Sequence, residues 1–228
     1  MVPALLDVSS PLLSRHLTVG VSTGFMVEQR GDWAALFERS AATSTLAVEL
    51  SALSQDELPG LTRFLCADPP MPFHYVSVHA PSKGLDVGED ERVHALTALP
   101  SWLRAIVVHP DTMEDLDVWS GLGRRLVIEN MDARKASGQR ADQLAGLFEA
   151  LPLAGLCFDI AHARHVDPSL EVGRELLDCF TDRLRHVHLS SLDSEAHHVP
   201  LTEMDEELFT DLLKRCRDVP WILEAPLR

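Results

Sequence analysis

Leu156–His165 reads LCFDIAHARH. It opens as a buried β-strand, and the apolar run stops at Asp159, with His162 three residues further on. A carboxylate and an imidazole at the tip of a core strand are costly to bury without partners. One strand cannot supply those partners. The same pattern returns along the chain, and its recurrence decides the fold.

Seven more runs resemble this strand: LTVGVS from Leu17, LAVELS from Leu46, YVSVH from Tyr75, AIVVH from Ala105, RLVIE from Arg125, LRHVHL from Leu184 and WILE from Trp221. Most are continuous stretches of Val, Ile and Leu, as in parallel strands covered on both faces. Helical spacing fills the gaps. It is seen in DWAALFERSAA, in RADQLAGLFEAL with Leu144, Leu147, Phe148 and Leu151 on one face, and in EELFTDLLKRC with Leu208, Leu212 and Leu213 on one face. Asp32, Ser54 and the pair Pro168-Ser169 stand where helices should start.

Strand starts recur at about the 30-residue period of a βα unit. A leucine-rich solenoid would repeat LxxLxL, and no such repeat is present. The pattern predicts one α/β domain, a compact (β/α)8 TIM barrel over residues 1–228. An open doubly wound sheet is the alternative. The last strand lies too near Arg228 for an eighth helix to follow it. The segment 1–15, with Leu5, Leu6, Leu12 and Leu13, is expected to cover the outer face there, unless a subunit interface does so in a homo-oligomer.

Composition narrows the function. The chain has 228 residues, is 46% hydrophobic and carries a formal charge of −15. Two or three bound divalent cations would reduce that charge to about −11 to −9 without changing its sign. A broad nucleic-acid surface is therefore disfavoured, and a small neutral or modestly charged substrate is the easier partner. Neither a membrane span nor a signal peptide is expected. Cys66, Cys157, Cys179 and Cys216 are scattered, which suits reduced thiols in a cytoplasm.

Six strand tips carry metal-capable side chains: His79, His109, Glu129, Asp159, His188 and Glu224. In a (β/α)8 barrel all strand C-termini ring one mouth, so these residues converge. Six independent structural explanations are improbable beside one shared site. Divalent cations would offset the charge, and mixed imidazole–carboxylate ligation suits zinc, manganese or iron. Around the mouth, Lys83 could reach an anionic substrate, Arg164 could line the rim, and Asn130 could orient Glu129 or bind substrate. His186 reads as a core histidine one step below His188. No GxGxxG or Walker loop indicates a nucleotide cofactor.

LVIEN, FDIAHA with its D-x-x-H, HVHL and ILEAP, in that order, make the chain resemble the xylose-isomerase-like barrels, which include sugar isomerases and epimerases and the endonuclease IV group. The resemblance implies that Glu129, Asp159, His188 and Glu224 hold one ion. It implies that His79 and His109 hold a second ion bridged by Glu129. His162 would bind a third ion or contact substrate. In SLDSEAHHVPLTE, His198 is the better match for the family's H-x-P-L histidine and His197 the second. The accompanying Asp is not matched, leaving Asp193 or Glu195. The resemblance further implies a metal-dependent isomerase or epimerase acting on a sugar, sugar phosphate or polyol. The metal would stabilise an ene-diolate, Glu129 and Glu224 would serve as acid and base, and His162 would orient the substrate. One to three ions are expected in all; the alternatives are an abasic-site phosphodiesterase, which needs two or three, and a non-catalytic metal-binding barrel.

Overall fold

The computed structural model describes Ser10 and residues 12–227. In chain order the elements are β1 (Val19–Ser22), α1 (Trp33–Thr43), β2 (Ala47–Ser51), α2 (Leu58–Cys66), β3 (Tyr75–His79), α3 (Glu89–Thr97), β4 (Ala105–Val108) and α4 (Leu116–Trp119). Then come β5 (Leu126–Glu129), α5 (Ala141–Ala150), β6 (Gly155–Asp159), α6 (Ile160–Val166), α7 (Glu171–Phe180), β7 (Leu184–Leu189), a hairpin of β8 (Ser191–Leu192) and β9 (His198–Val199), α8 (Glu203–Leu213) and β10 (Trp221–Leu223). The long strands are all parallel and close into a barrel in the order β1-β10-β7-β6-β5-β4-β3-β2. This is the (β/α)8 TIM barrel that the period of the sequence predicts, and no open sheet edge is left in it.

Alternation along the strands sorts the side chains. Ile106, Val108, Ile128, Leu156 and Phe158 join the large core between barrel and helices. Ala105, Val107, Val127 and Cys157 form a separate small cluster with Tyr75 inside the barrel. Residues two further on share that inward parity, so His109, Glu129 and Asp159 emerge above the inner cluster at the barrel's C-terminal end. β1 and β2 approach closely at Gly20, where a Cβ would lie 2.3 Å from the Ala47 carbonyl oxygen.

The helix starts follow the chemistry expected of them, with one shift. Asp32 caps α1 by accepting from the Ala35 N–H at 3.0 Å, and Ser54 and Glu57 form a capping box ahead of α2. Pro168-Ser169 does not itself open a helix. α7 begins at Glu171, behind Leu170 in a left-handed conformation, and Asp167 takes the Val172 N–H. On α8 the buried face is Phe209, Leu212 and Leu213, while Leu208 is exposed, so the expected stripe is rotated by one residue.

The outer face of β10 is covered without a following helix. Trp221 is 3% exposed, and its Nε1–H donates to the Cys216 carbonyl at 2.9 Å. The His16 ring stacks on it at 3.9 Å, and Leu12 and Leu13 are buried in the same core. Leu5 and Leu6 of the expected covering segment lie outside the described residues. Among the described residues no helix is long and apolar enough to cross a membrane. All four cysteines are free, with Cys157 and Cys216 buried.

Candidate metal centre

Glu129 ends β5 at the centre of the mouth, 1% exposed. Its Oε2 faces His79 Nε2 and His109 Nε2, each at 3.2 Å. Its Oε1 faces His188 Nδ1 at 3.1 Å and His162 Nδ1 at 3.4 Å. His188 Nδ1 is also 3.4 Å from Glu224 Oε1, and His198 Nδ1 is 3.4 Å from Glu224 Oε2. His162 Nδ1 is 3.5 Å from Asp159 Oδ2. Residues from β3 to β10, far apart in sequence, thus meet within contact distance.

These spacings fit a cation. Two donors each about 2.1 Å from a zinc-like ion stand roughly 3.0–3.4 Å apart at tetrahedral or octahedral angles. Donor atoms of Glu129, Asp159, His188 and Glu224 all lie within 4.8 Å of one another, and so do those of His79, His109 and Glu129, and those of Asp159, His162 and His198. Asp159 Oδ2 and Glu224 Oε2 are buried without a hydrogen-bond donor, which fits oxygens placed to ligate a cation. His79 points the same way. Its Nδ1–H donates to the Ala80 carbonyl at 2.8 Å, which would leave Nε2, the nitrogen facing Glu129, free to ligate an ion once its proton is displaced.

Local structure holds the set in place. Asp159 caps α6 by accepting from the His162 N–H at 2.7 Å, so the D-x-x-H spacing is that of a capped first turn. Asn130 is fully buried. Its Nδ2–H donates to the Asp159 carbonyl at 2.9 Å and its Oδ1 accepts from the Asp159 N–H at 2.8 Å. The amide pins β6 to β5 and so orients the Glu129–Asp159 pair rather than facing the mouth. His198 is held at Nδ1 by the Ser190 hydroxyl, 2.7 Å away.

The electrostatics divide the two glutamates. Burial disfavours the charged form of Glu129, but the His188 charge and hydrogen bonds from His109, His188 and His79 outweigh it and hold the carboxyl well below the usual range. Burial, reinforced by Asp159, Glu129 and Glu49 and only partly offset by His188, pushes Glu224 well above it. Burial lowers His198 to about 4, so this imidazole is neutral at ordinary pH.

Several expected site residues are placed elsewhere. The Arg164 guanidinium pairs with buried Asp205 and lies over the Phe209 ring at 5.7 Å, both on α8, so it does not line the rim. Lys83 is exposed, bridges its backbone to Ser54 and has no side-chain partner among the described residues. His197 is exposed and pairs with Asp193 at 3.3 Å and Glu195 at 3.8 Å on the hairpin turn, so the histidine brought to the mouth is His198. His186 is buried below His188, as its parity suggests.

Two residues were not singled out in the sequence. Asp132 is buried, locked by Arg134 and 3.8 Å from His162 Nε2. Glu49, midway along β2, is fully buried and 3.1 Å from His188 Nε2. The signal for Glu49 was a lone carboxylate inside an apolar strand. A cleft of about 450 Å³ lined by Pro70, Phe73, His74, Trp102 and Arg104 lies beside the starts of β3 and β4 and holds none of these donors.

Solved structures share this architecture. A xylose isomerase domain protein from Planctomyces limnophilus superposes with a TM-score of 0.57 at 15% identity, over 92% of this chain and 89% of that one. A family 2 AP endonuclease from Brucella melitensis gives 0.55 at 14%, over 91% and 92%. An L-ribulose 3-epimerase gives 0.54 at 12%, over 91% and 81%. At such identities the likeness carries the fold and not the reaction. A search of curated proteins finds no match. The family model described as xylose isomerase-like TIM barrel matches residues 111–228, just over half of the chain and including Glu129, Asp159, His162, His188, His198 and Glu224. The chain belongs to the xylose isomerase-like TIM barrel family.

Proposed function

We propose that the protein is a metal-dependent isomerase or epimerase of a small sugar, sugar phosphate or polyol. The observation that carries this reading is the placement of two buried carboxyls against one histidine at the mouth, with opposed pKa directions. Glu129 and Glu224 both lie against the same His188 Nδ1, at 3.1 and 3.4 Å, the first held well below the usual carboxylate range by its histidine neighbours and the second pushed well above it by burial. Titratable neighbours pushed apart in this way suit a base and an acid in one proton transfer. Glu129 would remove the proton from carbon, and Glu224 would return one from its own side. Glu129, Asp159, His188 and Glu224 would hold the principal ion, which when bound supplies Lewis acidity to adjacent substrate oxygens. His162, fixed by Asp159 and by Asn130, would orient the substrate. The L-ribulose 3-epimerase among the structural neighbours is consistent with the class.

A second reading is multinuclear phosphodiester hydrolysis, the chemistry suggested by the AP endonuclease neighbour. It is favoured by the division of Glu129, whose Oε2 serves His79 and His109 while its Oε1 serves His188. A carboxylate so divided could serve two ions at once. The charge of −15 weighs against a polyanionic substrate.

One experiment separates the readings. The purified protein is loaded with zinc or manganese, its ions are counted, and it is incubated with a panel of ketoses and aldoses in deuterium oxide. Deuterium entering the carbon next to the carbonyl, lost in Glu129→Gln with the fold intact, is the expected result. A Glu129→Gln variant of near wild-type activity overturns the mechanism. Two or more ions, with cleavage of an abasic-site duplex and no exchange on sugars, favours the second reading.

A further inference from the structure

The two ends of the barrel differ in how their charges are met. Towards the mouth Arg30, Arg134 and Arg164 each pair with a carboxylate. At the opposite end Arg104, Arg124, Arg125, Arg183 and Arg217 stand in the turns that lead into β4, β5, β7 and β10, and Arg185 is the second residue of β7. None of these six is ion-paired among the described residues. Arg125 is held by the Leu99 and Thr97 carbonyls and Arg183 by those of Pro152 and Ala154, which fix each charge without neutralising it. The carboxylates in the turns before the strands are Asp68, Asp182 and Asp218, so arginine outnumbers acid here although the chain carries −15.

Exposed apolar side chains stand at the same end. Leu17 precedes β1, Trp102 precedes β4 and Leu153 precedes β6, at 89%, 38% and 47% exposure. One exposed leucine is ordinary on any surface. Three such prongs interleaved with uncompensated arginines make a patterned face. In the barrel order, β10 and β7 separate β1 from β6, and β5 separates β6 from β4. Those intervening strands are the ones led by Arg217, Arg183, Arg124 and Arg125. The prongs therefore form a tripod around the ring, with cations between its feet.

We propose that the N-terminal end of the barrel docks on an anionic phospholipid surface, with Leu17, Trp102 and Leu153 entering the headgroup layer and the arginines meeting lipid anions. A tripod spread around a ring of strands matches a plane, whereas a compact ligand would meet one prong at a time. Tryptophan suits the interfacial layer, and each arginine close to an anionic leaflet strengthens attachment. A nucleic acid would offer the charge but no apolar layer for Leu17 and Leu153. The cleft of about 450 Å³ beside Trp102 and Arg104 gives a headgroup access to that guanidinium. Docking here is independent of the metal centre and leaves the mouth, at the other end of the barrel, open to solvent.

The test uses the full chain and extruded vesicles of phosphatidylcholine, alone or with about 30% phosphatidylserine. The chain should sediment with the anionic vesicles and not with the neutral ones, and raising salt from about 0.05 to 0.5 M should release it. Trp33, Trp119 and Trp221 are buried, so a blue shift of tryptophan emission on docking reports Trp102 and should vanish in Trp102→Phe. Leu17→Ser and Arg104→Gln, both at exposed positions, should each weaken binding about fivefold and leave the zinc content unchanged. Equal binding to neutral and anionic vesicles overturns the proposal, and so do variant affinities within about twofold of the wild type. Binding to duplex DNA without binding to vesicles also overturns it and assigns the face to nucleic acid.

Discussion

The donors around Glu129 stand on barrel strands or just past their ends, whereas His162, His198 and Asp132 stand on the segments that follow the strands. His79 and Glu129 are strand residues, His109 and Glu224 directly follow β4 and β10, and His188 lies within β7. Parallel register fixes their relative heights, and inward parity fixes their direction. The second group is held by different means. His162 is in the first turn of α6, His198 is on the two-residue strand β9, and Asp132 is in the loop after β5, where Gly138 (φ +87°) returns its carbonyl to the Met131 N–H at 2.8 Å. Strand donors inherit the rigidity of the barrel, and loop donors depend on caps and single side-chain bonds.

That contrast is broken most directly by metal counting. Glu129→Gln removes the charge shared by His79, His109, His162 and His188 and is expected to leave no ion bound after dialysis against micromolar zinc. His198→Ala is expected to remove at most one ion and to weaken the remainder by no more than about tenfold. Elemental analysis of both variants checks the order. A larger loss in His198→Ala would mean that the loop group is the principal site.

Chelation should sharpen the same contrast thermally. An ion held at a hundred times its Kd stabilises by about 2.7 kcal/mol. In a chain of this length that corresponds to about 5–10 °C in Tm. Scanning calorimetry with and without chelator should show this drop in the wild type and in His198→Ala, and no drop in Glu129→Gln. Asp132→Asn should behave as His198→Ala does, since Asp132 reaches the cluster only through His162, 3.8 Å away.

The contrast also explains what could be read from sequence. The closed barrel and its six tipped strands were legible because strand period, parity and the βα repeat each leave a mark on residue order. Glu49 was overlooked because LAVELS reads as one apolar run, although Ala47, Glu49 and Ser51 share a face that Val48 and Leu50 do not. Arg164 was placed on the rim because α6 has only seven residues, too few to show the phase that turns its guanidinium to Asp205. Asn130 offered two roles, and only the coordinates show its amide engaged on both sides by Asp159. The choice among Asp193, Glu195, His197 and His198 depended on a hairpin turn whose Ala196 adopts φ +59°, which no local pattern announces.

The smallest effect expected comes from a carboxylate outside the mouth, and it tests whether the sensitivity of Glu129 is a matter of location. Glu89, at the start of α3, accepts from the Glu114 and Asp115 N–H groups at 2.6 and 2.8 Å and from the Trp119 indole, so it too gathers several donors. Burial is the largest single influence and raises its pKa, but the hydrogen bonds from Trp119, Glu114 and Asp115 together outweigh it and hold it below the usual value. A carboxyl depressed in the folded state stabilises above its unfolded pKa, and that contribution is lost as the pH falls through the folded value. Glu89→Gln should therefore cost about 1 kcal/mol at pH 7, a deficit that fades below about pH 4, with urea midpoints as the measure. Its zinc content should equal that of the wild type. A lowered zinc content would show that metal binding follows the stability of the whole barrel rather than the donors at its mouth.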